Sequence, residues 1–105
     1  MIEIVYFTSR DKVQKLEVRG HAGFDDSGKD LICAGVSCII FGLMNAIDNE
    51  DESAEIVQGD NEIVITLKDV DRAKVQDYLE LTLIQLETIE SSYPEFIKLE
   101  RRKTL

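Results

Sequence analysis

"LICAGVSCIIFGLMNAI", residues Leu31 to Ile47, contains no charged residue, and its reading decides the fold. A membrane span and a packed helix compete for it. The run falls short of the roughly 20 apolar residues that cross a bilayer, and Gly35, Ser37, Gly42 and Asn45 interrupt it. The surrounding chain is strongly acidic, so the stretch reads as a helix apolar on all sides, enclosed in a protein core and not in a membrane. Ala34, Gly35 and Gly42 would then let a neighbouring backbone approach closely, at some cost in helix propensity.

On either side the period changes from helical to two. "MIEIVYF" places Ile2, Ile4 and Tyr6 opposite Glu3, Val5 and Phe7, the pattern of a strand largely covered on both faces. After a turn at "TSRDK", "VQKLEVR" alternates Leu16 and Val18 with Lys15, Glu17 and Arg19, which gives a hairpin with one wet face. "AEIVQGDNEIVITLK" repeats the design, with Gly59, Asp60 and Asn61 between two runs. From about Asp69 to Ser92, Val75, Tyr78, Leu79, Thr82, Leu86 and Ile89 fall at three- and four-residue spacing behind an acidic start. Leu81, Leu83 and Ile84 widen that stripe beyond one core-facing side and suggest a subunit interface. Pro94 stops the helix, and "EFIKLE" has the form of a short last strand at a sheet edge. The expectation is α+β: a two-layer, mainly antiparallel sheet with two helices, in the order β-β-α-β-β-α and a short C-terminal strand.

Composition narrows the function. The 105 residues suit one domain, 1–105, with a single core. Twelve basic against 21 acidic residues leave a net charge of −9, which argues against direct nucleic-acid binding, since phosphate contacts call for a basic patch. "DNEDE", Asp48 to Glu52, reads as a solvated loop after the helix. Two cysteines five residues apart and a strand-like N-terminus without an export signal point to a reducing, cytoplasmic setting and not to a disulfide framework.

The only histidine, His21, and both cysteines cluster around the start of the apolar run. Asp30 stands immediately before that run and is a good N-cap, which puts Cys33 in the first helical turn. There the helix dipole and unpaired N–H groups favour an anion, lower the thiol pKa and offer donors to an oxyanion. A cap at Ser27 would instead form a capping-box pattern with Asp30 and sink Cys33 into the second turn, weakening the effect. The Asp30 cap is preferred because the other brings Gly28 into the first helical position. His21 titrates near neutrality and can serve a thiol as general acid/base, Gly23 and Gly28 let the intervening loop fold back, and Ser37 shares the helical face of Cys33. Cys38, about 140° further round, reads as core.

Each residue also has a purely structural reading. An isolated cysteine in an apolar helix is more often a small buried hydrophobe, a lone loop histidine is ordinary surface, Asp30 caps whether or not anything reacts beside it, and Ser37 can satisfy a backbone carbonyl. Spacing alone leaves catalysis open. One histidine and two ill-spaced cysteines make a poor zinc set, without a CxxC or HExxH pattern, and phosphate-loop and dinucleotide fingerprints are absent. No metal or cofactor is expected.

"GHAG" followed by "GKDLICAGVS" resembles the signature of the ribosomal-processing cysteine protease family, Prp, as do the order of elements and the "YPEFIKL" tail. The resemblance implies a cysteine endopeptidase that removes the N-terminal extension of a large-subunit ribosomal protein precursor. It makes Cys33 the nucleophile and His21 the general acid/base, with Asp30 and Ser37 in supporting positions. It also implies a homodimer that needs no metal or cofactor. Between histidine and cysteine it implies a mobile substrate loop, here "AGFDDSGKD", reached through Gly20 and carrying Gly23 and Gly28. Two other functions use the same features: a thiol redox sensor pairing Cys33 with Cys38, and a non-catalytic dimeric ribosome-assembly module.

Overall fold

Alternating residues near the N-terminus build β1 (Ile2–Ser9) and β2 (Lys12–Arg19), an antiparallel hairpin closed by Arg10 and Asp11. The computed structural model describes residues 1–20 and 27–104, and the side chains of all of these except residues 27–30. Arg10 and Asp11 both adopt left-handed backbone, φ 53° and 63°, the conformation whose twist matches the two flanking strands. The turn is therefore tighter than "TSRDK" suggests. Register shifts between Phe7 and Thr8, where Gln14 is the extra residue of a bulge in β2.

The second hairpin, β3 (Glu55–Gln58) and β4 (Glu62–Thr66), joins through β4 to β2, with Leu16 opposite Ile65. The last strand, β5 (Ile97–Lys103), lies parallel to β1 with Ile4 opposite Leu99. The sheet order is β3-β4-β2-β1-β5, antiparallel except at β1–β5. Helix α1 (Ser27–Glu50) carries the chain from β2 to β3 across β4, and α2 (Ala73–Ser92) carries it from β4 to β5. Both crossovers join parallel strands and cover the same sheet face, which makes the expected two-layer α+β fold.

Between the layers Ile4, Leu16, Ile65 and Ile97 meet Ile32, Val36, Ile40, Leu43 and Ile47 of α1 and Val75, Leu79 and Leu86 of α2. Each such side chain, withdrawn from water, stabilises the fold by about 1.5–3 kcal/mol before entropy is counted. Leu83 belongs to this core, whereas Leu81 and Ile84 are exposed.

Two layers cover less than the sequence pattern suggests. The helix α1 is buried on one face only, and Leu31 and Phe41 are 71% and 40% exposed, because a single sheet and one neighbouring helix cannot enclose it. For the same reason β1 is not covered on both faces: Val5 and Phe7 are only half-buried, Phe7 beneath the Lys15 ammonium at 5.3 Å from its ring centre. Nor does close packing explain Gly42, since an added Cβ there meets nothing within 4 Å; at Gly35 it would touch Ile89 at an ordinary 3.8 Å.

Helix α2 begins at Ala73, later than Asp69, because the Asp69 carboxylate accepts the Asp71 N–H at 2.9 Å and holds a local turn. The acidic "DNEDE" is not a simple solvated loop. Asp48 to Glu50 close α1, and Asp51 is 1% exposed, with one carboxylate oxygen accepting the Ser53 hydroxyl at 2.6 Å and N–H at 3.0 Å.

Candidate active site

The helix that carries Cys33 starts at Ser27, not after Asp30. Asp30 lies inside its first turn, so it is not the N-cap, and Gly28 is accommodated as a helical residue in spite of its propensity. Cys33 falls in the second turn, where its own backbone N–H sits within the helical ladder and the dipole effect, strongest over the terminal turn, has declined. The expectation of first-turn activation is corrected accordingly. Thiol activation rests more heavily on a separate base.

Cys33, Ser37 and Phe41 form one row along α1, each a turn after the last. Cys33 and Ser37 are half-buried, and Cys33 packs against the core cluster. Beside this row lies a cavity of about 130 Å³ between α1, the end of β2 and the β3–β4 turn; Val36, Ser37 and Val18 all line it. Val18 stands three residues before His21, and Val36 three residues after Cys33. The strand that leads to the histidine and the flank of α1 that bears the cysteine thus share a wall.

Gly20 sets the direction of departure from β2. Its N–H donates to the Asn61 carbonyl at 3.1 Å, its φ is +77°, and an added Cβ would lie 2.6 Å from the Met1 carbonyl oxygen. Only glycine fits there without strain. His21 and Gly23 lie outside the described residues, as does the side chain of Asp30.

Cys38 is exposed and not core. It lines a groove of about 270 Å³ between the helices with Gly42, Ala46, Tyr78, Leu81 and Gln85. The helix thus keeps the two thiols on opposite flanks. Among the described residues, no three His, Cys, Asp or Glu side chains gather into a metal-binding group.

Residues 1–98 match the family model of cysteine protease Prp. The chain belongs to the cysteine protease Prp family. The Bacillus subtilis ribosomal processing cysteine protease Prp is 32% identical to it over 93% of this chain and 95% of that one. Among solved structures, the S. aureus ribosomal processing protease Prp in complex with a substrate peptide superposes with a TM-score of 0.89 at 30% identity, over 97% of this chain and 100% of that chain. The same S. aureus protease with a covalently linked product peptide gives 0.87 at 31% identity, with the same coverage. Within this Prp-family chain, the lining contributed by Val18, Ile63 and Gln58 had no local sequence signal. Those residues come from three strands that only tertiary structure brings to the cavity lined by Ser37.

Proposed function

We propose that this chain is a cytoplasmic endopeptidase that removes the N-terminal extension of a large-subunit ribosomal protein, with Cys33 as nucleophile and His21 as general acid/base. The observation that supports the reading is the cavity between β2 and α1, lined by Val18 three residues before His21 and by Val36 and Ser37 three and four residues after Cys33. His21 takes the Cys33 proton, and the thiolate sulfur attacks the scissile carbonyl carbon. As the tetrahedral intermediate collapses, the C–N bond breaks and His21 protonates the departing amine, leaving a thioester. Water, deprotonated by His21, then attacks the thioester; the C–S bond breaks, a carboxylic acid leaves, and the thiol is regenerated. No step calls for a metal or cofactor. Asp30 and Ser37 are supporting residues, with Ser37 one turn from the thiol; Gly20, Gly23 and Gly28 belong to the substrate-binding loop. S. aureus Prp bound to substrate and product peptides supports a peptide substrate for its relative here.

We also assign the exposed helix face to a second copy of the chain. Leu81 and Ile84 are 56% and 53% exposed, Leu81 lines the apolar groove between α1 and α2, and this supports a homodimer. The acidic net charge supports a protein partner over direct nucleic-acid contact.

The deciding experiment is cleavage of the extended ribosomal protein by wild type, Cys33→Ala and His21→Ala. The wild type removes the extension, and both variants lose more than about a thousandfold in kcat. Retained cleavage by Cys33→Ala would overturn the assignment.

A further inference from the structure

Helix α2 crosses the sheet on a diagonal, tied to a different strand at each end. Near its start, Gln76 Oε1 accepts the Val13 N–H of β2 at 3.0 Å and Gln76 Nε2 donates to the Val13 carbonyl at 2.8 Å. Near its end, the Glu90 carboxylate accepts the Leu99 N–H of β5 at 2.8 Å. The diagonal leaves uncovered the ends of β1 and β5 beside the β1–β2 turn. This corner is remote from the Cys33 row: Val13 marks it and Val18 marks the cavity beside that row, and the two valines stand about 17 Å apart along an extended strand.

The uncovered corner is a gap of about 370 Å³, more than twice the roughly 150 Å³ that takes a benzene ring and near the lower end of the range of about 300–1,000 Å³ usual for small-ligand sites. Buried Thr8, Val13 and Leu83 make a largely apolar floor. The walls carry opposite charges, with Glu80 on the α2 side and Arg101 on the β5 side. The Glu80 carboxylate and the Tyr6 hydroxyl, both of residues lining the gap, have no hydrogen bond or ion pair with another described residue. Arg101 meets Asp11 through one terminal nitrogen at 3.4 Å, which leaves most of its five N–H donors available.

A lone cation in this gap would face Arg101, and a lone anion would face Glu80. A molecule that carries both charges satisfies both walls, while its apolar part covers the floor. We infer that the gap between α2 and the ends of β1 and β5 is a binding site for a small zwitterion, an apolar α-amino acid or a short peptide with free ends, whose ammonium meets Glu80 and whose carboxylate meets Arg101. The Tyr6 hydroxyl and the second amide N–H of Gln76 are further donors to that carboxylate. The site uses neither Cys33 nor His21 and stands apart from the protease reading. It also lies clear of the groove assigned to a second copy: at roughly 100° per residue, Gln76 and Leu83 occupy the flank of α2 opposite Tyr78 and Gln85.

The probes are L-leucine and dileucine, each titrated into the isotopically labelled full chain and followed through its backbone amide chemical shifts. Saturable shifts are expected at Thr8, Val13 and Leu83, with a dissociation constant of about 1 mM or less, and the tighter of the two probes tells whether the source is a free amino acid or a peptide. Isoamylamine and isocaproate, which keep the apolar part and only one of the charges, are expected to bind at least tenfold more weakly than that zwitterion, the scale of one hydrogen-bonded charge. Glu80→Gln and Arg101→Gln, both at exposed positions, are each expected to weaken the zwitterion by tenfold or more. The absence of saturable shifts at the lining residues with both zwitterions would overturn the site. So would a single-charge analogue that binds as tightly as the zwitterion, or an affinity unchanged in both variants. The analogue series uses the wild type alone, so it decides the question even where a variant does not fold.

Discussion

At the scale of single residues, Gly20 has the clearest consequence for the site. Its left-handed backbone and the nearby Met1 carbonyl leave no room for a side chain, and the next residue is His21. Gly20→Ala would cost about 1–2 kcal/mol in backbone strain and would turn the chain away from its present exit. Because misplacing a reacting group by about 1 Å can cost 10²-fold, kcat/KM is expected to fall at least tenfold at a temperature where urea titration finds the variant folded. Unchanged activity in a folded variant would dissociate Gly20 from the placement of His21. Asp51 makes a contrasting prediction about stability. The Ser53 hydroxyl and N–H hold its carboxyl below the ordinary 3.8, outweighing burial, with the Arg72 guanidinium assisting at 3.4 Å. A lowered folded-state pKa stabilises at neutral pH, where the carboxylate is ionised, and the contribution disappears as pH falls through that pKa. Asp51→Asn is thus expected to lower unfolding free energy at pH 7 by about 1.5–3 kcal/mol, the worth of hydrogen bonds to a charged group. The gap from wild type should narrow at pH 3. Urea titrations at both pH values check the sign.

At the scale of elements, the β1–β2 turn uses two residues that dislike the backbone it requires. Arg10 and Asp11 both sit at positive φ, where Asn and Gly are the favoured pair. Replacing them by Asn-Gly is expected to raise stability by about 1 kcal/mol, through relief of left-handed backbone strain, even though it removes the exposed ion pairs Arg10–Asp71 and Arg101–Asp11, which contribute little. A raised urea midpoint with an unchanged slope supports this. The same hairpin explains what could be read in advance. A strand's side-chain period is two, so Ile2, Ile4, Leu16 and Val18 identified their core face without reference to anything else. Helix starts depend on competing local caps. Ser27 and Asp30 both offered acceptable chemistry at the head of α1, and Asp69 spent its carboxylate on a turn instead of on α2. Burial was less legible still: an uncharged helix has no polar face to say which side the sheet will take, so Cys38 reads as core although it lies, with Phe41 and Gly42, one row beyond the core. The Cys33 and Ser37 row was legible because it depends only on helical spacing. The cavity beside it required Val18, Ile63 and Gln58 to come together from three strands.

At the scale of the whole molecule, the acidic charge and the apolar helix face act in opposite directions on self-association. Two chains of net charge −9 repel, so the attraction that holds a dimer must come from buried apolar area. Helices α1 and α2 are roughly 30 Å or more long and pack side by side at about 8–10 Å, a face of several hundred Å². That is the scale of the roughly 800 Å² each partner contributes to a stable interface. Leu81 and Ile84 project from this face, so the double substitution Leu81→Glu with Ile84→Glu should leave the fold intact and abolish association. Sedimentation equilibrium is expected to find a dimer for wild type and a monomer for the variant, with equal far-UV circular dichroism. Salt separates the two forces. Above 0.1 M the Debye length falls below about 10 Å, which screens the repulsion but leaves apolar contact in place, so the wild-type dissociation constant should decrease as sodium chloride rises from 50 to 500 mM, values of about one-third and over three times physiological ionic strength. An interface built on ion pairs would respond the opposite way. A wild-type monomer at every salt concentration would refute the dimer and leave Leu81 and Ile84 as solvent-facing side chains, with the cleavage chemistry confined to one chain.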